Sequence, residues 1–161
     1  SERPMKYRMA IAVLALVNAV VALYLHLYKL GRVGALACSA GGGCQVAQFS
    51  QYGWFAGVDV AMIGVVGYAF MFICALVALQ PSLVDAKWTN VGAFLIIVPA
   101  VLFTWRLKYG EWVVLQTFCP WCFISFASIH ACLVLAILDR RRLSRRAPAP
   151  GKEPSSLPLA A

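Results

Sequence analysis

The stretch Cys119-Pro120-Trp121-Cys122 opens an apolar run that reaches Leu138, at the point where a polar-flanked segment becomes a long helix. Two thiols two residues apart can close into a small disulfide and reopen, which stores and releases two electrons. A cysteine at a helix N-terminus gains thiolate character from the unpaired backbone N–H groups and the dipole. Pro120 suits the first helical turn, where its missing N–H costs nothing. Upstream, a second pair, Cys38 and Cys44, brackets the glycines Gly41-Gly42-Gly43.

Working outward, three further apolar runs appear: Tyr7 to Tyr28, Asp59 to Gln80 (stopped by Pro81), and Trp88 to at least Leu107. Each is close to the ~20 residues that span a bilayer core. The chain has 161 residues, 62% of them hydrophobic and only 12% charged. A soluble domain carries about 25% charge. The composition therefore predicts an all-α membrane protein: a four-transmembrane-helix bundle over 1–143, with a disordered, Pro/Ser/Ala-rich cytoplasmic tail at 144–161. Arg3, Lys6 and Arg8 ahead of an apolar run resemble a signal peptide. That run is longer than the 7–15 residues of such a segment, so it reads as a retained first span.

The net charge of +8 does not indicate nucleic acid, because the basic residues gather at the run ends. Arg3, Lys6, Arg8, Lys87, Arg140, Arg141, Arg142, Arg145, Arg146 and Lys152 fall on the side of the termini; Lys29, Arg32, Arg106 and Lys108 fall opposite. This bias predicts cytoplasmic termini. Both cysteine pairs then face the other side, a periplasm or similar oxidising compartment where disulfides persist. Cys74 and Cys132, deep in apolar runs, read as small core residues.

Between the pairs, Gln45 to Tyr52 places Val46, Phe49 and Tyr52 on one helical face. A short amphipathic helix is expected there, lying over the outer mouth of the bundle with Cys44 at its start. The third run is expected to kink at Pro99 and to project to about Gln116, with Arg106, Lys108 and Glu111 meeting headgroups and water. Trp88, Trp105, Trp112 and Trp121 sit near run ends, as interfacial anchors do.

Two cysteine pairs on one face, one on a helix and one on a hinged loop, make an electron relay. A reduced partner attacks Cys38–Cys44; the freed Cys44 attacks Cys119–Cys122; each step is thiolate exchange. Within a membrane the natural final acceptor is a lipid-soluble quinone. Other readings stand beside this one. Cys38–Cys44 alone suits a structural disulfide, and Cys119/Cys122 alone suits a metal. All four suit one zinc site, although no His lies near and zinc would quench the redox chemistry. A Cys-pair metal or mercury transporter is the rival from another class, with Cys74 and Cys132 as its only candidates within the bilayer.

Among the remaining polar residues, Asp59 at the start of the second run reads as an N-cap or a proton carrier. Asn18 reads as an interhelical hydrogen bond and His26 as interfacial. His130 reads equally as a functional group or a partner for a neighbouring helix.

The four runs, the C-x5-C loop pair and F-C-P-W-C opening the last run resemble the vitamin K epoxide reductase family, its bacterial branch in particular. Gly57 to Tyr68, G-V-D-V-A-M-I-G-V-V-G-Y, resembles that family's second-helix opening. The resemblance covers about Tyr7 to Leu138. It implies an oxidoreductase of a bacterial inner membrane that oxidises a periplasmic thioredoxin-fold disulfide donor and reduces ubiquinone or menaquinone. By position, Cys38 would exchange with the partner and Cys44 would pass electrons to Cys119. Cys122 would face the quinone and form the thiolate adduct or charge-transfer complex. Phe126 and Ile129, on the helical face of the two cysteines, would wall the quinone pocket, with Val60 and Asp59 from the second run.

The chain departs from the animal pattern in three places. The gap between the loop cysteines is shorter, which argues against epoxide reduction as the main task. Phe126 stands where those enzymes place a Tyr, and Val60 stands near their second-helix Asn, so apolar contact is expected to hold the quinone. These 161 residues contain no thioredoxin-like domain, so the partner is expected to be a separate protein.

Overall fold

In the computed structural model, which describes residues 3–38 and 41–146, each apolar run is a helix. They are α1 (Arg3–Lys29), α3 (Val60–Ala78), α4 (Lys87–Tyr109) and α5 (Pro120–Arg146), with the short α2 (Gly43–Phe49) in the first long loop. Four of these are long and apolar enough to cross a membrane: Met5–Lys29, Val60–Ala78, Lys87–Val114 and Pro120–Arg145. α5 takes in Ser144 to Arg146, three residues beyond the expected domain end. The rest of the expected tail lies outside the described residues.

α1 lies along α3, and α5 packs against both α1 and α4. Small residues let the backbones approach where burial of apolar surface gives little drive. Ala12 and Ala15 of α1 meet Ala75 of α3 and Ala136 of α5 in one core with Ile97 and Ile129. At Gly64 a Cβ would stand 3.2 Å from that of Ala22. Val13, Val17, Val66, Leu95 and Leu102 point outward and exposed, as a hydrocarbon solvent allows. α3 and α4 touch sparingly, and two cavities lie along that seam, sharing Met71 and Ile96 as wall residues.

The end of the bundle away from the cysteine pairs is tied by charge. Arg8 is buried and pairs with Asp139 at 3.1 Å, while donating to the carbonyls of Ala78 (2.6 Å) and Leu83 (3.0 Å). Those carbonyls lie at and beyond the C-terminus of α3, where helical acceptors are left over. Asn90 donates to Asp139, and Arg142 reaches it at 2.9 Å. Arg8 thus does more than flank a span.

The loop after α2 adds a small hairpin. Strands β1 (Trp54–Phe55) and β2 (Val58–Asp59) pair antiparallel around Ala56 and Gly57, both at positive φ. Two left-handed residues match the twist of a tight hairpin. Asp59 then caps α3, accepting from the N–H of Ala61 at 2.9 Å.

Candidate active site

α2 sits where the sequence places it, but its faces are turned. Gly43, Cys44 and Gln48 are buried, whereas Val46 and Phe49 are about half exposed (47% and 53%). Close approach explains this. A Cβ on Gly43 would collide with the Phe118 carbonyl and the Thr117 hydroxyl. Glycine is therefore needed for packing here, and it seats Cys44 against the residues that precede Cys119.

Cys38 and Cys44 form a disulfide with Cα atoms 6.2 Å apart. Cys38 is half-buried; Cys44 is fully buried. A second tie holds the loop from the other side, since the indole N–H of Trp121 donates to the Ala37 carbonyl at 2.7 Å. Trp121 also packs edge-on against Tyr24. It is a clasp between α5 and the loop, whereas the sequence placed it among the interfacial anchors; Trp88, Trp105 and Trp112 are exposed.

Cys119 is fully buried and occupies the capping position of α5. Its carbonyl accepts from Phe123 N–H at 3.0 Å and its sulfur from Cys122 N–H at 3.4 Å. The Cys122 thiol and that N–H hold the Cys119 thiol below its ordinary range, against burial and the nearby Glu111 carboxylate. Cys119 is thus the more readily ionised sulfur that helix termini favour.

Lys108 and Glu111 do not meet headgroups and water; both are buried, at 2% and 3% exposure. α4 runs into a π-helical turn over Gly110–Val114, which rotates Glu111 inward, and Tyr52 covers Gly110 so closely that no Cβ fits. Arg106 does stay exposed, over the Tyr52 and Phe55 rings. Glu111 Oε1 accepts the Cys119 N–H at 2.6 Å, and Oε2 accepts from Lys108 Nζ at 2.8 Å.

Beside Cys122 lies the outer of the two cavities, about 460 Å³, with walls that are almost wholly apolar. Cys122 and Val60 line it, together with Gln48, Tyr68, Lys108 and Ser125. Gln48 Nε2 lies 3.6 Å from Cys122 Sγ. The Tyr68 and Ser125 hydroxyls are 2.6 Å apart, and Ser125 stands one helical turn below Cys122, on the same face.

The other expected wall residues are placed elsewhere. Phe126 belongs to an aromatic group on the far side of α5, with Trp105 at 5.0 Å and His130 at 4.3 Å between ring centres. Ile129 is fully buried in the bundle core. Asp59 adjoins the cavity behind Val60 and binds His26 and Lys29. Burial opposes its ionisation, but the hydrogen bonds from His26, Lys29 and Ala61 outweigh burial and hold its carboxyl below the usual range. His26 is therefore a partner of Asp59 more than an interfacial residue. Asn18 lines the cavity but donates to Leu14 of its own helix, not to a neighbouring one. His130 accepts from Trp105 Nε1 at 3.0 Å and meets the Phe126 carbonyl through its other nitrogen at 2.7 Å, so both ring nitrogens are satisfied. Cys132 is a buried core residue, and Cys74 lines the inner cavity.

Sequence reasoning passed over Gln48, Tyr68, Ser125 and the inward turn of Lys108 and Glu111. Ser125, three residues after Cys122, carried a usable signal in its spacing.

Four cysteines thus meet at one end of a membrane bundle, the last of them opening on an apolar cavity. The profile of the vitamin K epoxide reductase family matches residues 9–137, a span that holds all four cysteines and every residue of the cavity wall. On that match, and with the arrangement that its region adopts, the chain belongs to the vitamin K epoxide reductase family.

Proposed function

We propose that this oxidoreductase takes two electrons from a separate, exported thioredoxin-fold dithiol. It passes them through Cys38/Cys44 and then Cys119/Cys122 to ubiquinone or menaquinone. The observation that carries the reading is the packing of Gly43 on Phe118. This packing sets the residue before buried Cys44 against the residue before buried Cys119, while Cys122, the other end of the second pair, lines the cavity.

The exposures suit the order of events. Half-buried Cys38 is the sulfur of the first pair that a partner thiolate reaches. The attack joins the partner to Cys38 and releases Cys44, and the partner's second thiol then closes the partner disulfide and frees Cys38. The Cys44 thiolate attacks Cys119 Sγ, and the electron pair of the broken Cys119–Cys122 bond leaves on Cys122. Cys38 then attacks Cys44, restoring the loop disulfide and freeing Cys119. The Cys119/Cys122 dithiol closes again as two electrons and two protons pass to the quinone. The net change is partner dithiol plus quinone to partner disulfide plus quinol.

The cavity fits a quinone head. It is of drug-sized volume, apolar, and provided with few polar groups, the pattern of small-molecule sites. Phe126 and Ile129 stand away from its wall, so the fit relies on others. The Tyr68 hydroxyl reaches both the Ser125 hydroxyl at 2.6 Å and the Ser125 carbonyl at 3.3 Å; with Tyr68 donating to that hydroxyl, the Ser125 proton is left for a ring oxygen. The charge bias of the sequence favours cytoplasmic termini and an outward-facing site in a bacterial inner membrane. A reporter fused after Arg142 should then be cytoplasmic, and an impermeant thiol reagent should reach reduced Cys38 from outside.

The decisive experiment supplies purified protein with a reduced thioredoxin-fold protein and a quinone, and follows quinol optically. Quinol should form in proportion to partner disulfide, and Cys122→Ser should abolish it. Oxidation of the partner with no quinol from either quinone class would overturn the reading.

A further inference from the structure

Among the described residues that line the outer cavity, Lys108 is the one charged side chain. It is 2% exposed and lies in a nest of aromatic rings, its Nζ 5.2 Å from the centre of Trp112, 5.6 Å from Phe118 and 5.7 Å from Phe123. Its carboxylate partner Glu111 is bonded through its second oxygen to the backbone N–H of Cys119. Buried ion pairs contribute little net stability, and apolar pairs often replace them without loss. Stability alone therefore gives no reason for a lysine and a glutamate at this spot.

We propose that Lys108 is the counter-charge for the thiolates of the Cys119/Cys122 pair, and that Glu111 is the positioning residue that fixes Lys108 against it. The inference rests on the thiol–quinone reading above. Each turnover puts negative charge on Cys122 when the Cys119–Cys122 bond breaks, and on Cys119 when Cys38 restores the loop disulfide. Both sulfurs sit where water is scarce, so an unpaired thiolate there is costly. A fixed ammonium on the same wall lowers that cost, and charges interact more strongly in such surroundings than in water. The two members of the pair act in opposite senses on Cys119: the ammonium favours its thiolate and the carboxylate opposes it. Glu111 thereby orients the cysteine backbone while limiting how strongly the lysine biases the couple toward the reduced state.

Stabilising the reduced form of a disulfide makes it the better oxidant, which gives the test its sign. The equilibrium of the Cys119–Cys122 disulfide with a dithiol buffer is read by alkylation gel shift at neutral pH, without quinone. The background is full-length protein carrying Cys38→Ser and Cys44→Ser. Lys108→Met should move the equilibrium toward the disulfide by roughly tenfold, the effect of one pKa unit. Lys108→Arg should stay near the parent. Glu111→Gln should move it the other way, and the double variant Lys108→Met, Glu111→Gln should return toward the parent. Shifts of both single variants in the same direction, or no shift in either, would overturn the proposal. If Lys108→Met does not fold, Glu111→Gln against Lys108→Arg decides by the same sign. No quinone enters this measurement, so failure of quinol formation in the wild type would sink the functional reading separately.

Discussion

Trp121 donates its indole N–H to the carbonyl of Ala37 at 2.7 Å, so the residue between Cys119 and Cys122 grips the one next to Cys38. The clasp holds the loop pair over the pair that opens the last helix. Trp121→Phe keeps the ring but removes the donor, a loss of about 1 kcal/mol, or roughly fivefold in the population of the docked loop. Transfer between the pairs should slow by about that factor. Reduction of Cys119–Cys122 by a small dithiol should not change, as stopped-flow comparison of the two reactions would show.

Gly43 makes a harder demand. Its Cα faces the Phe118 carbonyl, a backbone atom that cannot swing aside as a side chain can. Gly43→Ala should push α2 off α5 at a cost of about 1–3 kcal/mol, the range for overpacking. Turnover with a protein dithiol should fall together with thermal stability. A variant as stable and as active as wild type would mean that Cys44 reaches Cys119 by another approach.

The relay itself is open to trapping. In Cys38→Ser, Cys122→Ser neither end can resolve a bond between Cys44 and Cys119, the two buried sulfurs on either side of the Gly43 contact. Mild oxidation should join them, and proteolysis between the regions should leave fragments linked until reductant is added. Free thiols at both positions after oxidation would separate the pairs and reduce the loop disulfide to a structural one.

Asp59 ties α1 to the start of α3 through His26 and Lys29. The Lys29 side chain is only 3% exposed, so Asp59→Asn leaves a buried cation without its counter-charge, at a cost of about 3–5 kcal/mol. The pH dependence follows from a carboxyl held below its ordinary value of 3.8. The stabilisation is complete above the unfolded value and is lost as pH falls through the lower folded one. Thermal unfolding in detergent should show wild type losing stability as pH drops below about 4, with a flatter profile for Asp59→Asn.

Runs of apolar residue and the positions of Cys38, Cys44, Cys119 and Cys122 were enough to read four spans and the meeting of both pairs at one end. Which way each helix faces was not legible, and the reason is physical. In a bilayer the surroundings are as apolar as the core, so hydrophobicity does not separate the wall of a cavity from a face turned to lipid. Phe126 and Ser125 are neighbours in sequence, about 100° apart around α5, yet Phe126 joins Trp105 outside while Ser125 lines the cavity. The same ambiguity turned Val46 and Phe49 outward. Glu111 escaped for a different reason: it lies in a π-helical turn, which resets the angular phase of the chain, and no count in steps of 3.6 residues carries across it.

The sparing contact between α3 and α4 has a consequence for how the site is supplied. The outer cavity takes wall residues from both helices of that seam, Gly64 and Met71 from α3 and Pro99 and Phe103 from α4. For the quinone proposed above, entry by that seam is entry from lipid, without crossing water, and the quantity that then fixes occupancy is its mole fraction in the membrane. Extra lipid added at constant total quinone should starve the enzyme, and a longer-tailed inhibitor should gain potency by crowding into the same two-dimensional solution.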